Sequence, residues 1–194
     1  MRYAKEHKAE TRSKIVRAAA RLFREHGYDG VGVDAIMNEV GLTAGGFYAH
    51  FGSKEALFAE AIGAGLGAGR TTAESSSQNA TSTDAAGGEA LVSLIRGYLS
   101  RTHRDHVADG CPLPVLTPDV ARSHDAVRQE YEDQFLKYVA GIESLLEQDT
   151  GPSRSRALAI IAQCVGGLML ARGVKDEDLS NQILKASREA AMKI

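Results

Sequence analysis

The sequence predicts an all-α protein in two parts, a short N-terminal three-helix unit and a larger helical C-terminal part. Three observations carry this. Apolar residues recur at helical spacing in several segments, no run alternates with the two-residue period of a strand, and glycines stand where the helical segments stop. A chain of 194 residues with 43% hydrophobic content is long and apolar enough to bury a core, and no internal repeat is visible.

Residues 9–26 read as the first helix, because Ile15, Ala19, Leu22 and Phe23 share one face while Arg12, Lys14, Arg17, Arg21 and Arg24 occupy the others. Gly27 stops it. A second helix takes 33–40, with Ile36 and Val40 four apart and Gly41 in the position that a left-handed C-terminal residue prefers. Thr43 is placed to cap a third over 44–51 that buries Phe47 and Phe51, and Ser53 to cap a fourth with Leu57, Phe58, Ala61 and Ile62 as its apolar stripe. The fourth decays through Gly63, Gly65, Gly67 and Gly69 into a Ser/Thr/Ala/Gly tract that reads as a mobile connection. Further helices are expected at 89–104, 122–148, 153–172 and 176–192, with the Pro-rich "VADGCPLPVLTPDV" between the first two as a loop and a short helical turn. The boundaries that follow are 1–52 for the N-terminal unit, 53–70 for a connecting helix, 71–88 for the mobile loop and 89–194 for the C-terminal part.

Charge separates the same two parts. The formal net charge is −2, yet residues 1–54 carry 9 Lys and Arg against 6 Asp and Glu, while the remainder carries 14 against 19. A basic head on an acidic body suggests an end that binds a polyanion. The longest oily run, 157–171, is shorter than the roughly 20 residues that a bilayer crossing needs, so no membrane segment is expected. Cys111 and Cys164 stand far apart and outside any CxxC pair, which suits a reducing, cytoplasmic compartment.

Two short helices joined by a glycine turn and preceded by a longer basic helix fit the helix-turn-helix plan, whose second helix enters the major groove of DNA. Adjacent Gly45 and Gly46 then have a reason: each costs about 1 kcal/mol relative to alanine inside a helix, but in a first turn they let the backbone approach bases or phosphates. Sequence reading falls to Thr43, the Ala44 methyl and the backbone at Gly45 and Gly46. Lys54 just after the Ser53 cap is a cation at the positive end of a helix, unfavourable unless an anion lies near. Tyr48 and His50, away from the Phe47–Phe51 face, can donate to phosphate.

The segment "GYDGVGVDAIMNEVGLTAGGFYAHFGSKEALFAEAI" (27–62) resembles the DNA-binding signature of the TetR/AcrR family of bacterial transcriptional regulators. The resemblance implies a homodimer that binds a double-stranded operator, with a three-helix DNA-binding domain. It also implies a helical C-terminal domain that binds a small-molecule effector and dimerises through its last two helices, here 153–192. It places DNA contacts at Thr11, Arg12, Val33, Thr43, Ala44, Gly45, Gly46, Tyr48, His50 and Lys54, and implies no cofactor and no metal. One departure is Gly32, where the family has Ser or Thr as the cap of the second helix.

In the C-terminal part, Tyr131, Phe135 and Tyr138 form one stripe and Tyr98 lies on the preceding helix, so a pocket with a few hydroxyls is expected there. Ala162, Gly166, Gly167 and Ala171 give small surfaces on an apolar helix and fit burial against a second subunit. Cys111 follows Gly110 near His103, Arg104 and His106, cations that would lower a thiol pKa; "GCPL" also resembles a subgroup of the family that senses electrophiles or oxidants. A small buried cysteine packing a loop is the alternative, and Cys164 is expected to be inert. The functional reading is a repressor released from its operator by a ligand or an electrophile, and not an enzyme. Two rivals stay open: a thiol-dependent enzyme using Cys111 with His103 or His106, and a helical interaction module that no longer binds DNA.

Overall fold

The computed structural model describes residues 2–77, 85–146 and 153–194, and places side chains for 7–66, 88–146 and 153–194. Among these residues every regular element is a helix. Helix α1 (Arg2–His26) begins before the expected residue 9, since no Gly or Pro interrupts the segment ahead of it. Ile15, Ala19 and Phe23 are fully buried and Leu22 half-buried. Gly27, at φ +73°, ends the helix, with its N–H donating to the Phe23 carbonyl at 2.8 Å. Helix α2 (Val33–Glu39) closes in a Schellman arrangement, in which the Leu42 N–H donates to the Met37 carbonyl (2.9 Å) and the Gly41 N–H to the Asn38 carbonyl (3.0 Å). Gly41 is at φ +71°, so the turn itself requires glycine.

The third helix is a 3-10 helix over Ala44–Ala49, not the α-helix expected over 44–51. The Thr43 hydroxyl makes no capping bond; its carbonyl instead accepts from the Gly46 N–H at 3.0 Å. Two glycines stabilise an α-turn poorly, and the buried Phe47 and Phe51 hold the tighter segment in place. Helix α3 (Lys54–Ser77) starts at Ser53, whose Oγ accepts from the Ala56 N–H at 3.1 Å.

Helix α3 does not decay at its glycines. It runs to residue 77, and α4 (Ala85–Tyr98) starts before 88, so most of the expected loop over 71–88 is helical; residues 78–84 lie outside the described residues. Gly63 and Gly65 are packing notches: a Cβ on the first would lie 3.2 Å from Gln134 Cγ, and on the second 3.1 Å from both Arg24 Nη1 and Pro112 Cγ. The expected helix 89–104 is broken after Tyr98, and α5 (Arg101–Asp105) is capped by Ser100, whose Oγ accepts from the His103 N–H at 3.1 Å. The Pro-rich segment supplies α6 (Leu113–Ala121), and α7 (Asp125–Glu143) is shorter than the expected 122–148, whose last two residues lie outside the described ones. Helices α8 (Ser153–Gly173) and α9 (Glu177–Ala191) follow expectation, with Asp176 Oδ1 accepting from the Leu179 N–H at 2.7 Å.

Helix α3 lies along both α1 and α7, and α8 packs on α9 and α7, so one apolar core runs through both parts. At 21 residues α8 is longer than the oily run suggests, and it is long and apolar enough, by length and composition alone, to cross a membrane. One face, Ala157, Ile160, Ile161, Cys164, Gly167, Leu168 and Ala171, is buried within the chain, whereas Leu158, Met169 and Leu170 are exposed. Gly167 therefore does not lie on a face left for a second subunit: a Cβ there would sit 2.5 Å from Ser187 Cβ on α9, while at Gly166 it would meet nothing within 4 Å. Replacing Gly167 by alanine should destabilise the fold by about 1–3 kcal/mol in denaturant titration despite alanine's better helix propensity, because α8 and α9 must separate. Gly166→Ala, whose Cβ meets nothing within the same chain, should leave the packing of α8 on α9 intact and cost the fold less than Gly167→Ala. Equal stability of the two variants would contradict this packing.

Candidate nucleic-acid interface and regulatory core

The 3-10 helix presents an exposed edge. Thr43, Gly45 and Tyr48 face solvent, Tyr48 with 72% of its surface exposed, while Ala44 and Gly46 are partly covered. Neither glycine is required by the fold: a Cβ on Gly45 would meet nothing within 4 Å and one on Gly46 would make an ordinary 3.7 Å contact with Met37, and neither backbone is left-handed. Gly32, ahead of α2, is likewise open and supplies no side-chain cap, as its departure from the family pattern implies. Thr11 and Val33 are half-buried, the latter packed against the core.

Three basic residues of α1, Arg12, Arg21 and Arg24, are bound to groups on other elements, so counting them overstates the positive charge open to a polyanion. Arg12 makes a two-pronged ion pair with Glu60 of α3 and lies 4.4 Å over the Phe51 ring. Arg21 pairs with Glu25 and with Glu39 of α2, and Arg24 donates to the Ala108 carbonyl. Lys54 differs most from expectation. Its ammonium donates to the Tyr28 carbonyl at 2.7 Å and sits 4.1 Å over the Tyr28 ring, so the cost of a cation at a helix N-terminus is offset within the chain. His50 keeps Nδ1 enclosed without a partner among the described residues; burial first, then the positive charges of Lys8 and Arg12, hold its pKa below the ordinary histidine value.

The N-terminal unit is tied to the C-terminal helices at Tyr28. Its N–H donates to Asp119 Oδ2 of α6 at 3.0 Å, and its ring packs between Phe23 and Phe58. Sequence reasoning passed over Asp119 and Arg24 here, because their partners lie 91 and 84 residues away and no local pattern marks them.

Between α4, α7 and α8 lies a small cavity of about 10 Å³, the size of one water, lined by Leu94, Tyr98, Tyr138, Ile142, Ile160, Ile161, Cys164 and Val165. Tyr98 and Tyr138 are where the sequence placed a pocket, and Cys164 joins them. Tyr131 and Phe135 do not line it: they stack on each other and Tyr131 shares a hydrogen bond with Thr117. They share a face with Tyr138, but seven residues of helix put Tyr131 about 10 Å further along α7.

Burial holds the Cys111 thiol pKa above its ordinary value, against the opposing contributions of Tyr98, the Leu113 backbone, Arg24 and Arg172. The expected cations are elsewhere: Arg104 binds Asp105, Ser180 and Asn181, and the His106 ring bonds the Thr102 carbonyl. The His103 ring has both nitrogens engaged, Nδ1 with the Tyr98 carbonyl (2.7 Å) and Nε2 with the Cys111 N–H (2.9 Å). That pattern makes Nδ1 the donor and the ring neutral, and burial keeps its pKa low. His103 therefore cannot act as a base toward the Cys111 sulfur; it clamps the loop. Gly110 is needed for this clamp, since a Cβ there would lie 2.8 Å from the ring. Among the described residues no group of three His, Cys, Asp or Glu is placed to hold a metal.

Because folding lowers the His103 pKa, the unfolded chain takes up the proton first. The contribution is complete above about pH 6.5 and is lost as pH falls through the folded value. Stability should fall between about pH 7 and pH 5 more steeply in the wild type than in His103→Gln. Parallel slopes in thermal melts would show that protonating this ring costs the fold nothing.

Comparison with known proteins agrees with this architecture. Residues 15–61 match the family model described as bacterial regulatory proteins, tetR family. The chain is 29% identical over 172 residues to the HTH-type transcriptional regulator LmrA of Bacillus subtilis (strain 168), covering 86% of this chain and 89% of that protein. To YfiR of the same organism, an uncharacterized HTH-type transcriptional regulator, it is 30% identical over 144 residues, covering 74% and 67%. A crystal structure of a TetR-family regulator from Cytophaga hutchinsonii superposes with a TM-score of 0.78 at 20% identity, over 97% of this chain and 96% of that one. The chain belongs to the TetR family of bacterial DNA-binding transcriptional regulators, with an N-terminal helix-turn-helix domain and a helical C-terminal domain, and is not an enzyme.

Proposed function

We propose that the protein is a homodimeric, cytoplasmic repressor whose hold on a pseudo-palindromic operator is released by a small molecule bound among the C-terminal helices. The observation that carries this reading is the bond from the Tyr28 N–H to Asp119: it joins the turn after α1 to α6, and α6 begins two residues after Cys111. A shift of that loop on ligand binding moves α6 and with it the DNA-facing unit, which alters the spacing of two reading heads on successive major grooves. The raised thiol pKa of Cys111 favours a non-covalent ligand over an electrophile. On this reading residues 1–52 read DNA, α3 connects and residues 89–194 regulate. The second copy covers the exposed apolar side of α8, Leu158, Ala162 and Met169, which stand at helical spacing along the open Gly166 side within 153–192.

In the same reading Tyr48 and His50 position the protein on phosphates, with Thr11, Arg12, Val33 and Lys54 behind them, and Thr43 to Gly46 face the base edges. Gly45→Leu should leave thermal stability within about 1 kcal/mol of wild type, since space there is open, and should abolish specific binding to DNA upstream of the protein's own gene in gel shifts. Retained specific binding would remove this edge from the DNA interface.

A further inference from the structure

Arg12 is engaged twice within the chain. Its guanidinium lies 4.4 Å over the Phe51 ring, and Nη1 and Nη2 donate to the two carboxylate oxygens of Glu60. Glu60 belongs to α3, where its neighbours Phe58 and Ala61 are buried in the core while it stays at the rim. The pair is open to water: 40% of the Arg12 side chain and 37% of the Glu60 side chain remain exposed, so a polyanion can reach both.

This pair flanks the exposed edge of the 3-10 helix. Tyr48 packs edge-on against Phe47, Phe47 stacks on Phe51 at 5.5 Å, and Arg12 covers Phe51, so a row of rings leads from the edge to the guanidinium. Lys8, one turn before Arg12 on α1, is exposed, and the charges of both act on His50, which ends the 3-10 helix. Three groups that suit a phosphate thus share this flank, and the Glu60 carboxylate is set against one of them.

A guanidinium that grips a carboxylate with its terminal edge has lost one of the two forks that match a phosphate, and most of its charge is cancelled. A phosphate arriving at Arg12 would also meet Glu60 as a like charge. An ion pair this exposed holds by a factor of about five at most, so phosphate can displace the carboxylate but must compete with it.

We propose that Glu60 sets the DNA affinity of this protein by competing with DNA phosphate for Arg12. The inference deepens the reading of Arg12 as a phosphate contact and rests on it. Glu60 itself touches no DNA; it acts through Arg12.

A double-mutant cycle on DNA affinity tests this, by fluorescence anisotropy of the full-length protein on two labelled duplexes, one from upstream of its own gene and one of unrelated sequence, at about 0.05 M salt. Glu60→Gln, which keeps the shape and removes the charge, should bind both duplexes about threefold to tenfold more tightly than wild type, with little change in melting temperature. In an Arg12→Ala background the same change should gain less than about twofold, because no cation is left to release. Weaker binding by Glu60→Gln would make Glu60 a brace for Arg12, and an equal gain with and without Arg12 would make it a general negative charge; either overturns the proposal. Loss of affinity on Arg12→Ala with no gain from Glu60→Gln would overturn the competition and leave Arg12 on phosphate. No loss on Arg12→Ala, even beside Glu60→Gln, would remove Arg12 from the DNA interface and the proposal with it.

Discussion

Tyr28 is the residue on which the two halves of this protein meet. Gly27 turns the chain left-handed after α1, and the backbone of the next residue is then held on both sides of its Cα, the Tyr28 N–H donating to Asp119 of α6 and the Tyr28 carbonyl accepting from Lys54 at the head of α3. The ring between these bonds completes an aromatic cluster with Phe23 and Phe58. A single residue thus joins the end of α1, the start of α3 and α6. Asp119 is itself held by Arg122, and its carbonyl by Ser123, so the acceptor is oriented before Tyr28 reaches it.

A second constraint leads from this junction toward the cavity. His103 clamps the Cys111 N–H, the chain continues through Pro112 into α6, and Pro112 packs at the notch left by Gly65 of α3 beside Arg24 of α1. Tyr98 contributes its carbonyl to the His103 ring and its side chain to the cavity wall, so one residue belongs to both the clamp and the pocket. Packed interiors transmit displacement of this kind because they have little free volume to absorb it. The Gly-Cys pair, which as a motif suggests redox chemistry, serves here as a hinge stop: glycine admits the imidazole and the cysteine backbone feeds it.

What was legible in the sequence is what local geometry determines. Gly27 and Gly41 as helix stops, Ser53 as a cap, and Phe47 with Phe51 as anchors all follow from contacts within five residues, and all are found. The family signature supplied the expectation that the edge from Thr43 to Tyr48 meets DNA. Long-range pairing was not legible. Lys54 read as an unsatisfied cation because its partner is 26 residues away, and Arg12 as open to phosphate because Glu60 is 48 residues away. Gly63 and Gly65 read as helix breakers for the same reason, since the neighbours that need their missing side chains come from α7 and the loop before α6. Periodicity found the Tyr131, Phe135 and Tyr138 stripe but not its depth along α7, so it could not say which of them reaches the cavity.

The claim that Tyr28 couples α6 to the head of α3 is tested most directly by a double-mutant cycle on stability with Asp119→Ala and Lys54→Met, which release the residue on either side of its Cα. If both hold one junction, losing the first bond frees the residue and lowers the value of the second. The combined loss in denaturant titration should then fall short of the sum of the single losses by about 1 kcal/mol. Losses that add to within about 0.3 kcal/mol would mean that the two bonds are independent, and the proposed mechanical link between the C-terminal helices and the N-terminal unit would be contradicted.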